Sequence, residues 1–265
     1  MNLSRQFFMQ YSRRLLRVWE RNLVVYRRIW KVNFLVPLLE PIFYLVAFGV
    51  GFSGLIGDVI YAGQELTYVA FIAPALLATA IMFNAFYETT FASFVRMYYQ
   101  KTFDAMLATP LSLEEIITAE ILWGATKSVM AAALMLVVIA LFGLVRLPEG
   151  LWILPLAFLG GMAFGSVGMY FTGITPSIDM FNLPMFLFIT PLFLFSGTFF
   201  PVAGLPEWAQ LVAQLSPLYH LVEISRLAAT GRMESGLFTS LGYLLAFSSV
   251  FFILAIRAMR KRLIR

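Results

Sequence analysis

The composition of this 265-residue chain is that of a membrane protein rather than a soluble domain. Hydrophobic residues make up 61% of the sequence and charged residues 12%, with a net charge of +5, whereas about a quarter of an average soluble domain is charged. The chain has no cysteine and a single histidine, His220, which excludes disulfide frameworks and metal sites built from thiolates or several imidazoles. We therefore predict an all-α, polytopic membrane protein without a metal site.

The first 31 residues combine an apolar stripe with many arginines. Apolar side chains recur at steps of four residues: Leu3, Phe7, Tyr11, Leu15 and Trp19. Because the other faces carry arginines, this pattern predicts an amphipathic interface helix that lies on an anionic membrane surface. An arm that binds nucleic acid would also be rich in arginine, but the aromatic stripe and the hydrophobic sequence behind it favour the membrane. We expect no nucleic-acid partner.

Residues 32–256 contain six apolar segments, each near the ~20 residues that a helix needs to cross a bilayer. The six predicted spans are residues 32–52, 67–91, 116–142, 151–174, 183–200 and 237–256. Residues 257–265 follow as a basic tail. These segments predict a six-helix transmembrane domain.

Lysine and arginine are distributed unequally between the two sides of this layout. Fifteen lie in the N-terminal segment, in the polar stretch after the second span and in the tail, while only Arg146, Arg226 and Arg232 lie on the opposite side. Since basic residues near spans favour the cytoplasm, we expect both termini and that polar stretch to be cytoplasmic.

The polar stretch, residues 96–123, is called the polar island below. Tyr99, Phe103, Met106 and Leu107 recur at helical spacing, while Gln100, Lys101 and Asp104 fall on the other side. This pattern predicts a short two-faced helix. Thr109-Pro110 ends it, and Ser112 with Glu115 forms a capping box that begins the next helix. A solvated loop with a fortuitous amphipathic turn is the alternative.

On the opposite side, residues 201–236 contain two candidate short helices. One begins at Pro206, and the other has Ser216 as its N-cap with Pro217 at the first helical position. Both carry apolar residues that suggest a helical hairpin dipping into the outer leaflet, although a cap lying on the surface fits equally well. These residues are Trp208, Leu211, Val212 and Leu215 on the first helix and Leu218, Leu221 and Val222 on the second.

Three charged residues lie where lipid makes polarity costly. Glu40 is in the first predicted span, Glu88 lies late in the second and Lys127 is near the middle of the third. They are candidates for lining the path of an amphipathic substrate. The alternative is an internal salt bridge that fixes helix register, with Glu88 close enough to an interface to be solvated by water.

Glycine and proline mark two of the later spans. Gly161 and Gly165 form a GxxxG step in the fourth span, which is typical of close helix packing. Pro184 and Pro191 are expected to bend the fifth span.

An enzymatic function finds little support in the sequence. Ser166 lies between glycines and His220 is placed in the outer hairpin, so a serine and histidine pair of an intramembrane protease is disfavoured. The stretch around Lys127 lacks the glycine that a P-loop requires immediately before its lysine. No catalytic residue is expected, and nucleotide hydrolysis would have to come from another chain.

Beyond these patterns, the order and spacing of several short motifs resemble one family of membrane proteins. The motifs are Glu40-Pro41 before Tyr44-Leu45, FIAP at residues 71–74, FVR at 94–96, FDAMLATPL at 103–111, SGTFFP at 196–201 and PLYH at 217–220. Together with six spans and the N-terminal amphipathic helix, they resemble the ABC-2 type permeases, and among these most closely the membrane subunits of nodulation-factor exporters. Ala75 departs from the glycine usual after Ala73-Pro74.

The resemblance implies a half-transporter of the bacterial inner membrane that forms a homodimer and pairs with two copies of a separate ABC ATPase. ATP and Mg would be bound by that partner, with no cofactor on this chain. Residues 98–108, within a coupling segment of residues 96–115, would dock on the ATPase, and residues 201–229 would form an extracytoplasmic re-entrant hairpin. The coupling residues would be Tyr99, Lys101, Phe103, Asp104, Met106 and Leu107.

The resemblance also suggests lipid-linked or acylated oligosaccharides as export substrates. Related permeases resemble drug or antibiotic exporters, which leaves that substrate class open. An ion-coupled carrier is a further alternative, but such carriers commonly show internal repeats and several ionisable residues near mid-membrane. We find no convincing repeat in this sequence.

Overall fold

The computed structural model describes residues 14–51, 57–61, 63–231 and 236–264, and in the first helix it describes the backbone alone at residues 32–38, 40–41 and 49–50. Helix α1 runs over Leu15–Gly51 with one break, at Ile29, where φ is −117° and ψ is 18°. The predicted interface helix and first span therefore meet in one kinked helix. Leu3, Phe7 and Tyr11 lie outside the described residues.

Five helices in the described part of the chain are long and apolar enough to cross a membrane, by length and composition. They are Tyr68–Tyr99, Leu113–Leu141, Glu149–Ile174, Ile178–Phe195 and Gly236–Leu263, and they match the second to sixth predicted spans within several residues at each end. The first predicted span falls in α1 except for Phe52, which lies outside the described residues. The count of six spans stays a prediction.

The helices of the membrane domain follow one another closely. After α2 (Tyr68–Tyr87) the helix continues through two π-helical turns, Glu88–Ala92 and Val95–Tyr99. The remaining helices are α3 (Thr102–Leu107), α4 (Leu113–Leu141), α5 (Ile153–Ile174), α6 (Asn182–Pro184), α7 (Thr190–Phe195), α8 (Glu207–Gln214), α9 (Pro217–Thr230) and α10 (Gly236–Leu263).

Local cap chemistry places several of these boundaries where the sequence predicted them. The Ser112 side chain accepts a hydrogen bond from the Glu115 N–H at 3.2 Å, and the Glu115 carboxylate accepts one from the Ser112 N–H at 2.9 Å, so the capping box is confirmed. Ser216 likewise caps α9, with Pro217 at its first position. Both predictions depend only on residues within one turn, which is why sequence sufficed.

The fifth span is interrupted, as its prolines predicted. Pro184 ends α6 and Pro191 lies in the first turn of α7, with a π-helical turn at Met185–Ile189 between them. Proline removes a backbone donor and so prevents a continuous α-helical ladder.

A short β-hairpin before α2 was not predicted from the sequence. Strands β1 (Val59–Tyr61) and β2 (Gln64–Leu66) pair antiparallel, with Gly63 in the turn at φ +73°. Strands of three residues are too short for alternation to be recognised in a sequence.

The core forms where α2, α4 and α5 meet. A Cβ added at Gly161 would lie 2.6 Å from the Ala125 Cα of α4, so only glycine permits this approach and the predicted close packing is confirmed. Ser128 donates to the Ile81 carbonyl at 2.9 Å and Thr172 donates to the Thr89 carbonyl at 2.7 Å. These bonds join neighbouring helices through side chains that are themselves buried.

Candidate functional site

A cluster of buried charges occupies the end of this core that adjoins the polar island. Arg96 Nη1 lies 2.8 Å from Glu88 Oε1, and Lys127 Nζ lies 2.8 Å from Glu88 Oε2. Arg96 Nε also donates to Glu120 Oε2 at 2.9 Å. The Glu120 side chain is fully buried, and those of Glu88, Arg96 and Lys127 are 6%, 14% and 17% exposed. The four groups form the inner ion cluster.

The two π-helical turns at the end of α2 carry two members of this cluster. Glu88 opens the first turn and Arg96 lies in the second. A π turn widens the helix by one residue and is frequent at functional sites. The cluster therefore depends on local backbone geometry as well as on the contact of α2 with α4.

Helix α1 is tied to the same cluster through neutral side chains. Asn22 donates through Nδ2 to Glu120 Oε1 at 3.0 Å, and Ser93 donates to Glu120 Oε2. Trp19, three residues before Asn22 on α1, donates from its indole nitrogen to the Thr126 hydroxyl of α4 at 2.9 Å. Both Glu120 oxygens thus have donors, as a buried carboxylate requires.

A cavity of about 940 Å³ adjoins the inner ion cluster. Its charged lining consists of Arg21, Glu88, Arg96 and Lys127, together with the amides of Asn22, Asn84 and Gln100. Aromatic rings supply much of the remaining wall: Tyr26, Tyr44, Phe83, Tyr87, Phe91, Trp123 and Phe193. A pocket of this size with a few convergent polar groups is a typical ligand site.

The predicted substrate-path residues are placed differently from one another. Glu88 and Lys127 form a salt bridge and both line the cavity, so the internal ion pair that the sequence left as an alternative is present at the cavity itself. Glu88 is 5% exposed, which contradicts the expectation that water solvates it. The side chain of Glu40 lies outside the described part of α1.

Sequence reasoning missed Arg96 and Glu120 as site residues. Glu120 lies inside the predicted third span, one heptad before Lys127, so the two fall on one face of a helix. An acidic residue within a span is a signal that was present in the sequence. Its pairing with Arg96, 24 residues away, was not, because it depends on how α2 packs against α4.

The coupling residues predicted in the polar island divide between core and surface. Phe103 is fully buried, Met106 is 8% exposed and Leu107 is partly buried. The core around them comes from the continuation of α2, from α4, α5 and α10 and from the turn before α6, and it includes Phe94, Ile117, Met169, Phe181 and Met259. The expectation that the Phe103 side chain docks on the ATPase is therefore corrected, because its own bundle already fills the space around its ring.

The exposed face of the island includes the other predicted residues and one neighbour, Tyr98. Tyr98 and Tyr99 are 51% and 60% exposed, and the side chains of Lys101 and Asp104 are 66% and 58% exposed. Lys101 has a left-handed backbone, with φ +52°, at the break between the long α2 helix and α3. Such a conformation is uncommon for a residue with a Cβ and is often found at functional sites.

At the other end of the molecule, Arg226 of α9 forms a second buried site, the outer arginine site. Arg226 donates through Nε to the Phe71 carbonyl at 3.1 Å and through Nη2 to the Gly197 carbonyl at 2.6 Å. Its guanidinium lies 3.7 Å from the centre of the Phe71 ring. Glu223 lies 3.5 Å from Arg226 Nη1 and accepts a 2.5 Å hydrogen bond from Tyr61 of the β-hairpin.

Burial governs the electrostatics of this outer site. It lowers the pKa of Arg226, and Glu223 opposes that shift. Burial, with the nearby Glu223 carboxylate, raises the pKa of Tyr61, so the phenol stays protonated and donates to Glu223. The site connects α9, α2, the β-hairpin and the loop after α7.

The two short outer helices differ in what they contact. Trp208, Leu211, Val212 and Leu215 are 59% to 72% exposed, whereas Leu218, Leu221 and Val222 are fully buried in the core. The expectation that apolar residues of both helices face lipid is therefore wrong for α9, because that helix packs against α2 and α10. Whether α8 enters the leaflet or lies on its surface stays a prediction.

The serine and histidine considered for a protease are each engaged elsewhere. Ser166 donates to the Met162 carbonyl of its own helix at 2.7 Å. His220 Nε2 lies 2.8 Å from the Gln214 carbonyl, and Nδ1 lies 3.1 Å from the Ser240 hydroxyl.

Comparison with known proteins gives a consistent result over most of the chain. The ABC-2 type transporter family matches residues 13–229. Nodulation protein J of Sinorhizobium fredii is 34% identical over 247 residues, which cover 93% of this chain and 93% of that protein. Nodulation protein J of Rhizobium leguminosarum bv. trifolii is 36% identical over 248 residues, or 94% of this chain and 93% of the relative.

A more distant relative carries a transport name. The inner membrane transport permease YadH of Escherichia coli is 22% identical over 237 residues, which cover 89% of this chain and 91% of that protein.

Proposed function

Because this chain belongs to the ABC-2 type transporter family, it is the membrane-spanning permease subunit of an ABC exporter, and we propose that it acts as one half of a homodimer served by two copies of a separate ATPase. ATP and Mg would be bound by that ATPase. The observation that carries the proposal is the family match over residues 13–229. It includes the polar island and both buried charge sites described above.

We place the contact with the ATPase on the exposed face of the polar island. Tyr98 and Tyr99 offer two aromatic side chains, and buried aromatic residues commonly dominate the energy of interfaces. Lys101 and Asp104, whose charged groups are 3.9 Å apart, would lie at the rim of this interface. Charges at a rim affect the rate of association with the partner more than the affinity for it. Phe103 and Met106 would support this face from beneath, through the core that they share with α4 and α10.

The island would then connect the ATPase contact with the cavity through a short path. Tyr99 ends the second π-helical turn, and Arg96 of the same turn binds Glu88 and Glu120. A displacement of the exposed face would therefore reach the inner ion cluster within one helical turn.

The proposed orientation puts both termini and the island in the cytoplasm of a bacterial cell with this chain in the inner membrane. It is supported by the excess of lysine and arginine on that side of the sequence. The relative YadH of Escherichia coli is named as an inner membrane transport permease.

For the substrate we propose an amphipathic molecule moved outward, such as a lipid-linked or acylated oligosaccharide. The aromatic wall and the amides of the cavity support this class, because aromatic faces and hydrogen-bonding groups suit sugars and acyl chains alike. A drug or antibiotic exporter is the alternative in the same class of transporter. An ion-coupled carrier is less favoured, since the family match points to a permease of ATP-driven type.

The test of the proposed ATPase contact compares an exposed aromatic residue with a buried one. Tyr99→Ala should leave the chain folded and weaken association with the ATPase by roughly tenfold or more, as loss of an interface aromatic does. Phe103→Ala should instead lower the yield of folded chain, because truncating a buried phenylalanine costs ~3–5 kcal/mol. Pull-down of the ATPase, together with size-exclusion chromatography of the chain, measures both effects.

Lys101→Ala is the matched control for the island surface, since this side chain is as exposed as Tyr99 but lies at the rim. We expect it to change ATPase association little. Full-strength association by a well-folded chain carrying both Tyr98→Ala and Tyr99→Ala would remove this face from the proposal.

A further inference from the structure

The charges around the cavity are not balanced. Its lining has three cationic side chains, Arg21, Arg96 and Lys127, and one carboxylate, Glu88. Glu120 supplies a second carboxylate from behind Arg96. With both carboxylates counted against the three cations, one positive charge remains.

Arg21 is the cation that accounts for this excess. Arg96 and Lys127 are held by carboxylates at 2.8 Å. Arg21 makes its side-chain hydrogen bond with the neutral Asn22 Oδ1, at 3.2 Å, and within the described residues it forms no salt bridge. The half-buried guanidinium of Arg21 can therefore donate two hydrogen bonds to an anion in the cavity, such as a phosphate, without first breaking a salt bridge.

The cavity combines polar and aromatic side chains along one helix. Arg96 and Gln100 line it at the polar island, and Phe83 and Asn84 line it farther back on the same helix. Phe83 and Arg96 are thirteen residues apart on one continuous helix, which corresponds to roughly 20 Å of rise. The wall is therefore long enough, and has the mixture of side chains, to contact both the polar head and an apolar part of an amphiphile.

The rim of the cavity is apolar and open. Val25 and Ile29 of α1 are 49% and 53% exposed, and Tyr87, within a candidate membrane span, is 42% exposed. A molecule whose tail stays in lipid could place its head in the cavity through this rim without carrying the tail through water.

We propose that this cavity binds an anionic amphiphile from the membrane, with the Arg21 guanidinium as the contact for its phosphate or other acidic head. The proposal rests on the export function proposed above, since the bound molecule would be a substrate or a substrate-like lipid. The aromatic wall holds the apolar part, and the inner ion cluster fixes the position of the Arg96 and Lys127 charges beside the head.

The experiment measures lipid retained by the full chain, purified with its copurifying partner. The complex is placed in nanodiscs that contain equal amounts of phosphatidylglycerol and phosphatidylcholine, extracted with mild detergent and analysed by native mass spectrometry. We expect phosphatidylglycerol to be enriched several-fold over the bulk ratio. Arg21→Gln should weaken its binding about tenfold, the change that corresponds to ~1.4 kcal/mol.

Arg17→Gln is the matched control, because Arg17 is an exposed arginine one turn earlier on the same helix and does not line the cavity. It should leave enrichment unchanged. A second variant, Ala92→Phe, adds a ring to the cavity wall and changes no charge, so it should displace the lipid if the cavity is the site. It keeps the test decisive should Arg21→Gln fail to fold.

A separate arm distinguishes a lipid head from a free anion. Inorganic phosphate is titrated into nanodiscs made of phosphatidylcholine alone, and its binding is followed by isothermal calorimetry. Phosphate binding without enrichment of phosphatidylglycerol would overturn the proposal, as would equal enrichment in the parent, Arg21→Gln and Ala92→Phe chains. ATPase association of the parent chain is measured in parallel. Normal association without lipid enrichment rejects this site alone, whereas absence of any ATPase partner rejects the export function.

Discussion

The inner ion cluster and the outer arginine site each bury an arginine, but they satisfy it in different ways. Arg96 lies between two carboxylates, Glu88 and Glu120. Arg226 donates mainly to backbone carbonyls, those of Phe71 and Gly197, with Glu223 at a longer distance. In the first site, the partners of the arginine are carboxylate side chains. In the second site, its main partners are carbonyl groups of the main chain.

This difference has consequences for movement. Glu88 has two cationic partners, Arg96 and Lys127, so one ion pair can open while the carboxylate remains paired. The carbonyls that hold Arg226 belong to the backbone at the start of α2 and in the loop after α7, so they cannot move independently of those segments. The inner cluster, next to the cavity and the island, is suited to rearrangement, while the outer site fastens the β-hairpin and α9 to α2.

The largest expected effect comes from removing the arginine of the inner cluster. Arg96→Met should lower the free energy of unfolding by ~3–5 kcal/mol, because it leaves the buried Glu120 carboxylate without its counter-charge. Thermal unfolding in detergent, followed by light scattering and tryptophan fluorescence, measures the change. Arg96→Met combined with Glu120→Gln should recover part of the loss, since the uncompensated charge is then gone.

If the double variant is as unstable as Arg96→Met alone, the inner cluster is held by geometry rather than by charge pairing. Lys101→Met is the matched control: this exposed cation has its carboxylate partner at 3.9 Å, and such pairs contribute about 0–1 kcal/mol.

At the outer site we expect a smaller loss and no rescue. Arg226→Met should cost ~2–3 kcal/mol, because methionine fills the space but removes the guanidinium donor from the buried carbonyls of Phe71 and Gly197. Adding Glu223→Gln should recover little, since the carbonyls still lack that donor. A full recovery in the same thermal assay would show that Glu223, and not the backbone, is the main partner, and the contrast between the two arginines would disappear.

The regions around the inner ion cluster and the outer arginine site also show which structural features a sequence can predict. Helix starts at Ser112 and Ser216 were predicted correctly because a cap is decided within one turn. The helical spacing of Phe103 and Met106 was also read correctly, but a shared face does not say what covers it. Only the packing of α4, α5 and α10 shows that their own bundle covers these residues.

Long-range polar partners could not be predicted. Arg226 was counted only among the basic residues of the outer side, yet it is 2% exposed and bonded to a carbonyl 155 residues away. Glu120 could have been noticed as an acid inside a span, but its partner on α2 depends on helix packing. Local chemistry fixes where elements begin, whereas the pairing of charges is set by tertiary structure.

The smallest expected effect is a pH dependence at the outer end, where His220 connects α9 with α10. Burial lowers the pKa of His220 below its ordinary value of 6.5. Its ring stacks on Tyr243 at 4.1 Å between centres. In the neutral form Nε2 donates to the Gln214 carbonyl and Nδ1 accepts from the Ser240 hydroxyl.

Since the folded pKa lies below the unfolded one, the unfolded chain binds more protons as the pH falls through 6.5, and stability declines in that direction. The decline levels off below the folded pKa, where both states are protonated. The midpoint temperature should therefore fall slightly between pH 7.5 and 5.5, and His220→Gln should flatten this slope while Arg17→Gln should not. A parent chain whose stability is constant or rises toward pH 5.5, relative to His220→Gln, would show that the folded state accommodates the imidazolium at the outer end.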